Sequence, residues 1–205
     1  TAGLRGYVKT GIYSKITAEY HHLQEFRRGG DNIDLPPHEV MIAEQTKHGI
    51  NTGGLKFDWF SADQRHRLNV FASIQHIDRD SYYGAQKDPN AYGKTSDLTW
   101  VGGAQYIYKF KRCLFMPADL TAGLEYNEDY LKDNMWGYDR ITDQTVRIAS
   151  LYAQNEWKSQ RWGILLGGRL DKHNLINEVI FSPRANLRYN PAKNINLRAS
   201  YSYGF

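Results

Sequence analysis

His21 and His22 are the first residues in the chain whose chemistry suggests a ligand site, for haem iron or another metal. Adjacent residues of a strand point to opposite faces, so the pair is a poor chelate. Asp31, Asn32 and Asp34 supply the hard oxygen ligands that calcium takes, but their spacing completes no calcium loop. The same residues serve equally well as turn formers. Arg27 and Arg28 place two guanidinium groups together, suited to an anionic ligand or to a loop facing lipopolysaccharide. A fourth group is aromatic: Tyr82, Tyr83, Tyr92, Trp136 and Tyr138 fall in long breaks of the sequence pattern. Aromatic residues there suit contact with a bulky ligand, packing within a loop, or a membrane-interface girdle. Catalytic signatures are missing: no G-x-S-x-G, H-E-x-x-H, phosphate-binding glycine loop or paired C-x-x-C occurs. Cys113 is the lone cysteine, which excludes a disulfide framework and a thiolate metal cluster. The chemistry on offer is binding, with no enzyme activity and no cofactor expected.

The elements that must position these residues read as strands. From Phe181 to Asn190 the letters alternate between Phe, Pro, Ala, Leu, Tyr and Ser, Arg, Asn, Arg, Asn. After a short turn the alternation resumes, with Ile195, Leu197, Ala199, Tyr201, Tyr203 and Phe205 on one side. Asn196, Arg198, Ser200, Ser202 and Gly204 take the other. Strict period-two alternation places one face in an apolar medium and the other in a polar one. Breaks rich in Gly and Asx divide the chain into about nine such runs. They span Leu4–Tyr20, Gln45–Phe60, Arg67–Asp78, Leu98–Arg112, Asp119–Tyr130, Thr145–Lys158, Trp162–Lys172, Ile180–Asn190 and Ile195–Phe205. Phe71 interrupts the alternation of the third run, and the run at Thr145–Lys158 is ambiguous. Long breaks at 21–44, 79–97, 131–144 and 173–179 alternate with short ones at 61–66, 113–118, 159–161 and 191–194. That order suits an up-and-down sheet with short turns at one end and long loops at the other, as in outer-membrane barrels. Several runs also exceed the roughly 5–6 residues of a typical soluble strand.

Composition agrees. Mean hydropathy is -0.64, and no segment approaches the roughly 20 apolar residues of a spanning helix. Transmembrane barrels need no such segment, because their strands average out polar. Tyr is abundant at 15 of the 205 residues, and its ring suits places where one end is apolar and the other wet. Net charge is +4 with the two signs interspersed, so no nucleic-acid patch is indicated. No signal peptide is visible at Thr1. A general porin and a soluble β-rich carbohydrate-binding module remain open on these grounds.

The closing stretch narrows the choice. "SPRANLRYNPAKNINLRASYSYGF" (residues 182–205) resembles the barrel of TonB-dependent outer-membrane receptors. In that family a Ser-Pro-Arg strand and a short turn lead into an LRASYxxGF strand. Ser182-Pro183-Arg184, Leu197-Arg198-Ala199-Ser200-Tyr201 and Gly204-Phe205 match it. The stretch 150–173 is similar to the preceding hairpin, with its YxQxEW and GxRxD strands, and Phe26–Asp34 resembles an extracellular loop of some members. The resemblance implies an antiparallel up-and-down transmembrane β-barrel of about 22 strands, plugged by an N-terminal domain. This chain then supplies about nine strands of that barrel, residues 1–205, without the plug. It further implies a Gram-negative outer membrane, contact with lipid and lipopolysaccharide, and uptake of a ferric siderophore, haem, cobalamin or similar nutrient. The TonB–ExbB–ExbD complex would act through the plug, and a surface lipoprotein is a possible partner. The ligand would meet external-loop residues, with Arg27, Arg28, Tyr82, Tyr83, Tyr92, Trp136 and Tyr138 as the candidates.

Overall fold

The computed structural model describes residues 1–204, so Phe205, the last letter of the alternation, lies outside the described residues. Ten antiparallel strands pair strictly with their sequence neighbours. They are β1 (Ala2–Gly11), β2 (Ser14–Gly30), β3 (Ile42–Phe60), β4 (His66–Ala85), β5 (Tyr92–Cys113), β6 (Met116–Met135), β7 (Arg140–Lys158), β8 (Trp162–His173), β9 (Val179–Ala192) and β10 (Ile195–Ser202). Strands β1 and β10 each pair on one side only, so the sheet is open at both edges.

The expected count of nine is corrected to ten. The run Leu4–Tyr20 is a hairpin that turns at Ile12 and Tyr13, with a register shift between Lys9 and Gly11. Val8 pairs with Ile16, so both arms keep their apolar residues on one face and the alternation reads straight through the turn. Loop lengths are also corrected. The long breaks shrink to 31–41, 86–91, 136–139 and 174–178, because the flanking strands run on into them. The turn 61–65 is longer than the loop 136–139. The two ends of the sheet still differ, but the difference lies mainly in strand extensions.

Strand register produces two chemically distinct faces. The paired row Val8, Ile16, Phe57, Val70, Ala104, Leu124, Leu151, Leu170 and Phe181 crosses nine strands without a polar side chain. Leu55, Ile74, Leu124, Leu151, Leu166 and Leu197 on this outward face are exposed. A continuous exposed apolar surface of this extent requires an apolar medium, and in a barrel wall that medium is lipid. Aromatic rings rim the band. Trp59, Tyr106, Tyr108, Trp157, Trp162 and Tyr189 lie towards the short turns, and Tyr20, Trp100 and Tyr126 towards the loops. Such girdles mark the two lipid–water interfaces.

The opposite, inward face is polar and connected. Arg169 donates to Asp171 at 2.8 Å, to Glu125 at 3.0 Å and to Ser150 at 2.7 Å, while Tyr152 donates to Gln105 at 3.0 Å. Phe71 belongs to this face, which explains its break in the pattern. Its cross-strand partner is Gly103, where a Cβ would come within 2.8 Å of the ring, so only glycine leaves space for it. Arg184, Asn186, Arg188, Arg198 and Ser200 also share the inward face, as their alternation predicts.

Candidate functional site at the loop end of the wall

Above the loop-side girdle, strands β2 to β7 continue past the apolar band, and their inward residues form a charged rung. Glu25, His48, Arg79, Thr95 and Asp133 are consecutive cross-strand partners from β2 to β6. Asp133 is buried and accepts from Thr95 at 2.6 Å, Arg79 at 3.3 Å and Arg140 at 2.8 Å. Burial alone would raise its carboxyl, but the hydrogen bonds from Thr95 and Arg140 and the two guanidinium charges outweigh it and hold the carboxyl below its ordinary value. His48 lies 3.6 Å from Glu25 on one ring nitrogen, and its Nε2 is enclosed with no hydrogen-bond partner among the described residues.

The outward side of the same rim is closed by the loop 31–41. Its Pro37–Glu39 turn and Val40 pack over Tyr82, which is fully buried together with Ala43 and Ala91. Tyr82 stands edge-on to its cross-strand partner Tyr92, with centroids 4.9 Å apart. Burial pushes the Tyr82 hydroxyl up in pKa, and that hydroxyl donates to the Asp88 carbonyl at 2.9 Å. A Cβ at Gly84 would sit 2.5 Å from the Tyr82 oxygen, so glycine is what lets the ring lie flat. Tyr92 shares a 2.7 Å hydrogen bond with His38, and Arg28 donates to the Leu35 carbonyl at 3.3 Å. The loop is therefore strapped down by Arg28, Tyr82 and Tyr92 together.

On the inward side of the rim, across the wall from the strap, opens a cavity of about 560 Å³. Tyr83 and Tyr138 stand on it, joined by a 3.0 Å hydrogen bond from the Tyr138 hydroxyl to the Tyr83 carbonyl. Glu44, Asp88, Ala91 and Gly137 complete much of the lining. The tyrosines expected in loops are thus redistributed. Tyr82, Tyr83 and Tyr92 lie in strands, and only Trp136 and Tyr138 lie in a connection. Of the seven residues proposed for ligand contact, Tyr83 and Tyr138 are brought together on the cavity. Tyr82 has no exposed surface to offer, and Arg28 and Tyr92 hold the strap. Arg27 points inward and pairs with Glu25 at 2.8 Å, whereas Trp136 is exposed away from the lining.

Glu44, Asp88 and the Asp133 cluster were not legible as site residues. One signal for the strap was present: neighbouring Tyr82 and Tyr83 must face opposite ways, and Pro36, Pro37 and Val40 are apolar loop residues in need of cover. His21 and His22 do take opposite faces, with His22 hydrogen-bonded to Asn51 at 2.8 Å. Asn32 serves as a turn residue, its carbonyl accepting from the Leu35 amide at 2.9 Å. Among the described residues no group of three or more His, Cys, Asp or Glu is placed to hold a metal ion.

An antiparallel wall with one lipid face, one polar face and two aromatic girdles is part of a transmembrane β-barrel. The chain belongs to the TonB-dependent receptor family: the family model for the TonB-dependent receptor-like β-barrel matches residues 12–205. Its place is the outer membrane of a Gram-negative cell. Similar solved structures include the siderophore receptor PirA from Pseudomonas aeruginosa, at TM-score 0.73 and 12% identity over 98% of this chain and 32% of that one. PirA from Acinetobacter baumannii gives 0.72 at 13% identity, over 98% of this chain and 32% of that one. The alcaligin outer-membrane receptor FauA from Bordetella pertussis gives 0.71 at 10% identity, over 98% and 34%. The chain thus spans about a third of the length of the solved receptors it matches. Among curated protein sequences nothing matches the chain significantly. Membership of this family sets aside the soluble carbohydrate-binding module.

Proposed function

We infer that this wall belongs to an active-uptake receptor for a scarce small-molecule nutrient, with the loop end facing outward. The observation that carries this reading is the open cavity framed by Tyr83 and Tyr138 on the inward side of the rim. Its two phenol rings offer flat apolar faces, and Glu44 and Asp88 add polar groups, so it can grip part of a ligand larger than itself. Two of the similar solved structures are siderophore receptors, which favours a ferric siderophore over haem or cobalamin. Energy from TonB, with ExbB and ExbD, would act through a plug inside the barrel, while this wall supplies one side of the binding mouth. Contact with lipopolysaccharide, and with a surface lipoprotein, belongs to the same reading.

The test uses the full-length receptor in a receptor-deficient strain. Uptake of labelled ferric siderophores, haem and cobalamin is measured with and without the inner-membrane proton gradient. Accumulation of one ligand that collapses with the gradient, and weakens in Tyr83→Ala and Tyr138→Ala, supports the reading. A receptor present in the outer membrane that accumulates none of them in an energy-dependent way overturns it.

A further inference from the structure

At the opposite end of the wall, where β1 to β4 meet the short turns, the inward face carries a second open cavity of about 570 Å³. Lys9, Lys15, Lys56 and Arg67 line it, and Asp58 is the one carboxylate among the lining residues. Asp58 is buried, and a single oxygen serves Lys56 at 3.3 Å, Arg67 at 3.8 Å and the Asn69 amide at 3.0 Å. Three donors therefore already share that oxygen. Lys9 and Lys15 are direct cross-strand partners, although like charges facing each other across a ladder are destabilising. Neither makes an ion pair with an acidic group of the described residues. The Lys15 ammonium instead lies 5.7 Å from the Tyr7 ring, a weak contact at an exposed site.

We propose that Lys9, Lys15, Lys56 and Arg67 form an anion-binding station on the inward wall at the short-turn end, for a diffusible small polyanion of phosphate or carboxylate chemistry. One polyanion in this cavity relieves the Lys9–Lys15 repulsion and gives the ammonium groups charge-assisted hydrogen bonds. Lys56 and Arg67 converge on the same space from β3 and β4 through their hold on Asp58, so two of the four cations are already positioned. Arg67 is further steadied by the Phe60 ring, 5.1 Å from its guanidinium carbon. The station stands on different residues from the loop-end cavity, so it can fail while the uptake reading holds, and the reverse.

Purified full-length receptor in detergent is titrated by calorimetry at low ionic strength with inorganic pyrophosphate and, separately, with tricarballylate. Wild-type protein should bind at least one probe, and the stronger of the two identifies phosphate or carboxylate as the preferred group. Binding should weaken as salt is raised. The double variant Lys9→Gln with Lys15→Gln should bind roughly tenfold more weakly or worse. The same variant without probe should fold at least as well as wild type, because a repulsion has been removed. Absence of binding by wild type, including the case in which acidic side chains of the same polypeptide already fill the cavity, overturns the proposal. Equal binding by wild type and double variant overturns it as well.

Discussion

Strands β2 to β7 run for 17 to 22 residues, whereas β8, β9 and β10 run for 12, 14 and 8. Both regions share the apolar band, and only the first continues well beyond it on the loop side. Within the band each strand from β2 to β9 is held by two neighbours and by lipid, so alternation alone keeps it in place. Beyond the band there is no lipid, and the tall region needs contacts of its own. It has two sets: the inward rung centred on Asp133 and the outward strap over Tyr82. The short region has neither, and its loop 174–178 is tied mainly by Asn174 and Lys172 to nearby carbonyls. The height of the wall is thus matched by the chemistry that supports it, and the cavity lies in the tall part.

The largest effect should come from removing the ring under the strap. Tyr82→Ala empties a fully buried site and should cost about 3–5 kcal/mol of local stability. Limited proteolysis of the full-length receptor should then cut within 31–41, while heat-modifiable gel mobility still reports a folded barrel. Collapse of the whole barrel would show that rim and band are one cooperative unit and end the comparison.

Within the shared band, Leu166→Arg puts a charge on the lipid face of the short region and should cost about 2–4 kcal/mol near the bilayer midplane. Ser200→Arg on the inward face should be milder. Refolding yields in lipid vesicles distinguish the two, and equal losses would argue against a lipid-facing stripe.

Asp133→Asn tests the rung. It removes the charge that faces Arg79 and Arg140 and should cost about 1–3 kcal/mol at the rim. Since the folded carboxyl lies below its ordinary value of 3.8, its stabilisation is complete above that pH. It is lost as the pH falls further, through the lowered folded value. Protection of β5 and β6 amides near the loops, taken relative to their intrinsic exchange rate at each pH, should therefore fall in acid for wild type and vary less with pH in Asp133→Asn.

The smallest effect belongs to the short-turn end. Asp63 accepts from the Ser61 hydroxyl and the Arg65 amide, and these hydrogen bonds hold its carboxyl low although it is fully exposed. Asp63→Asn should change local exchange in 61–65 slightly and leave rim proteolysis as in wild type. A rim response would mean that the two ends are coupled through β3 and β4.

Much of the wall could be read from the letters. Leu98, Trp100, Ala104, Tyr106, Tyr108 and Phe110 share a face because side chains on a strand alternate, and no distant residue is needed to say so. The hairpin at Ile12–Tyr13 escaped because its turn preserves parity, leaving the apolar and polar letters in step across it. Strand ends escaped for another reason. Outside the lipid the outward positions become polar, as at Ser96, Lys94 and Lys132, and alternation fades while pairing continues.

The sequence by itself determined the all-β class, the two faces, the order of neighbouring strands and the family, because these depend on local periodicity and contiguous motifs. Tertiary structure alone decided that Tyr82 is buried while Tyr83 lines a cavity. It also decided that Asp133 gathers Thr95, Arg79 and Arg140, and that Lys9 faces Lys15 beside an already engaged Asp58. Each of these depends on register between strands that are separated in the chain. A slip of one residue would turn every side chain of a strand to the opposite face.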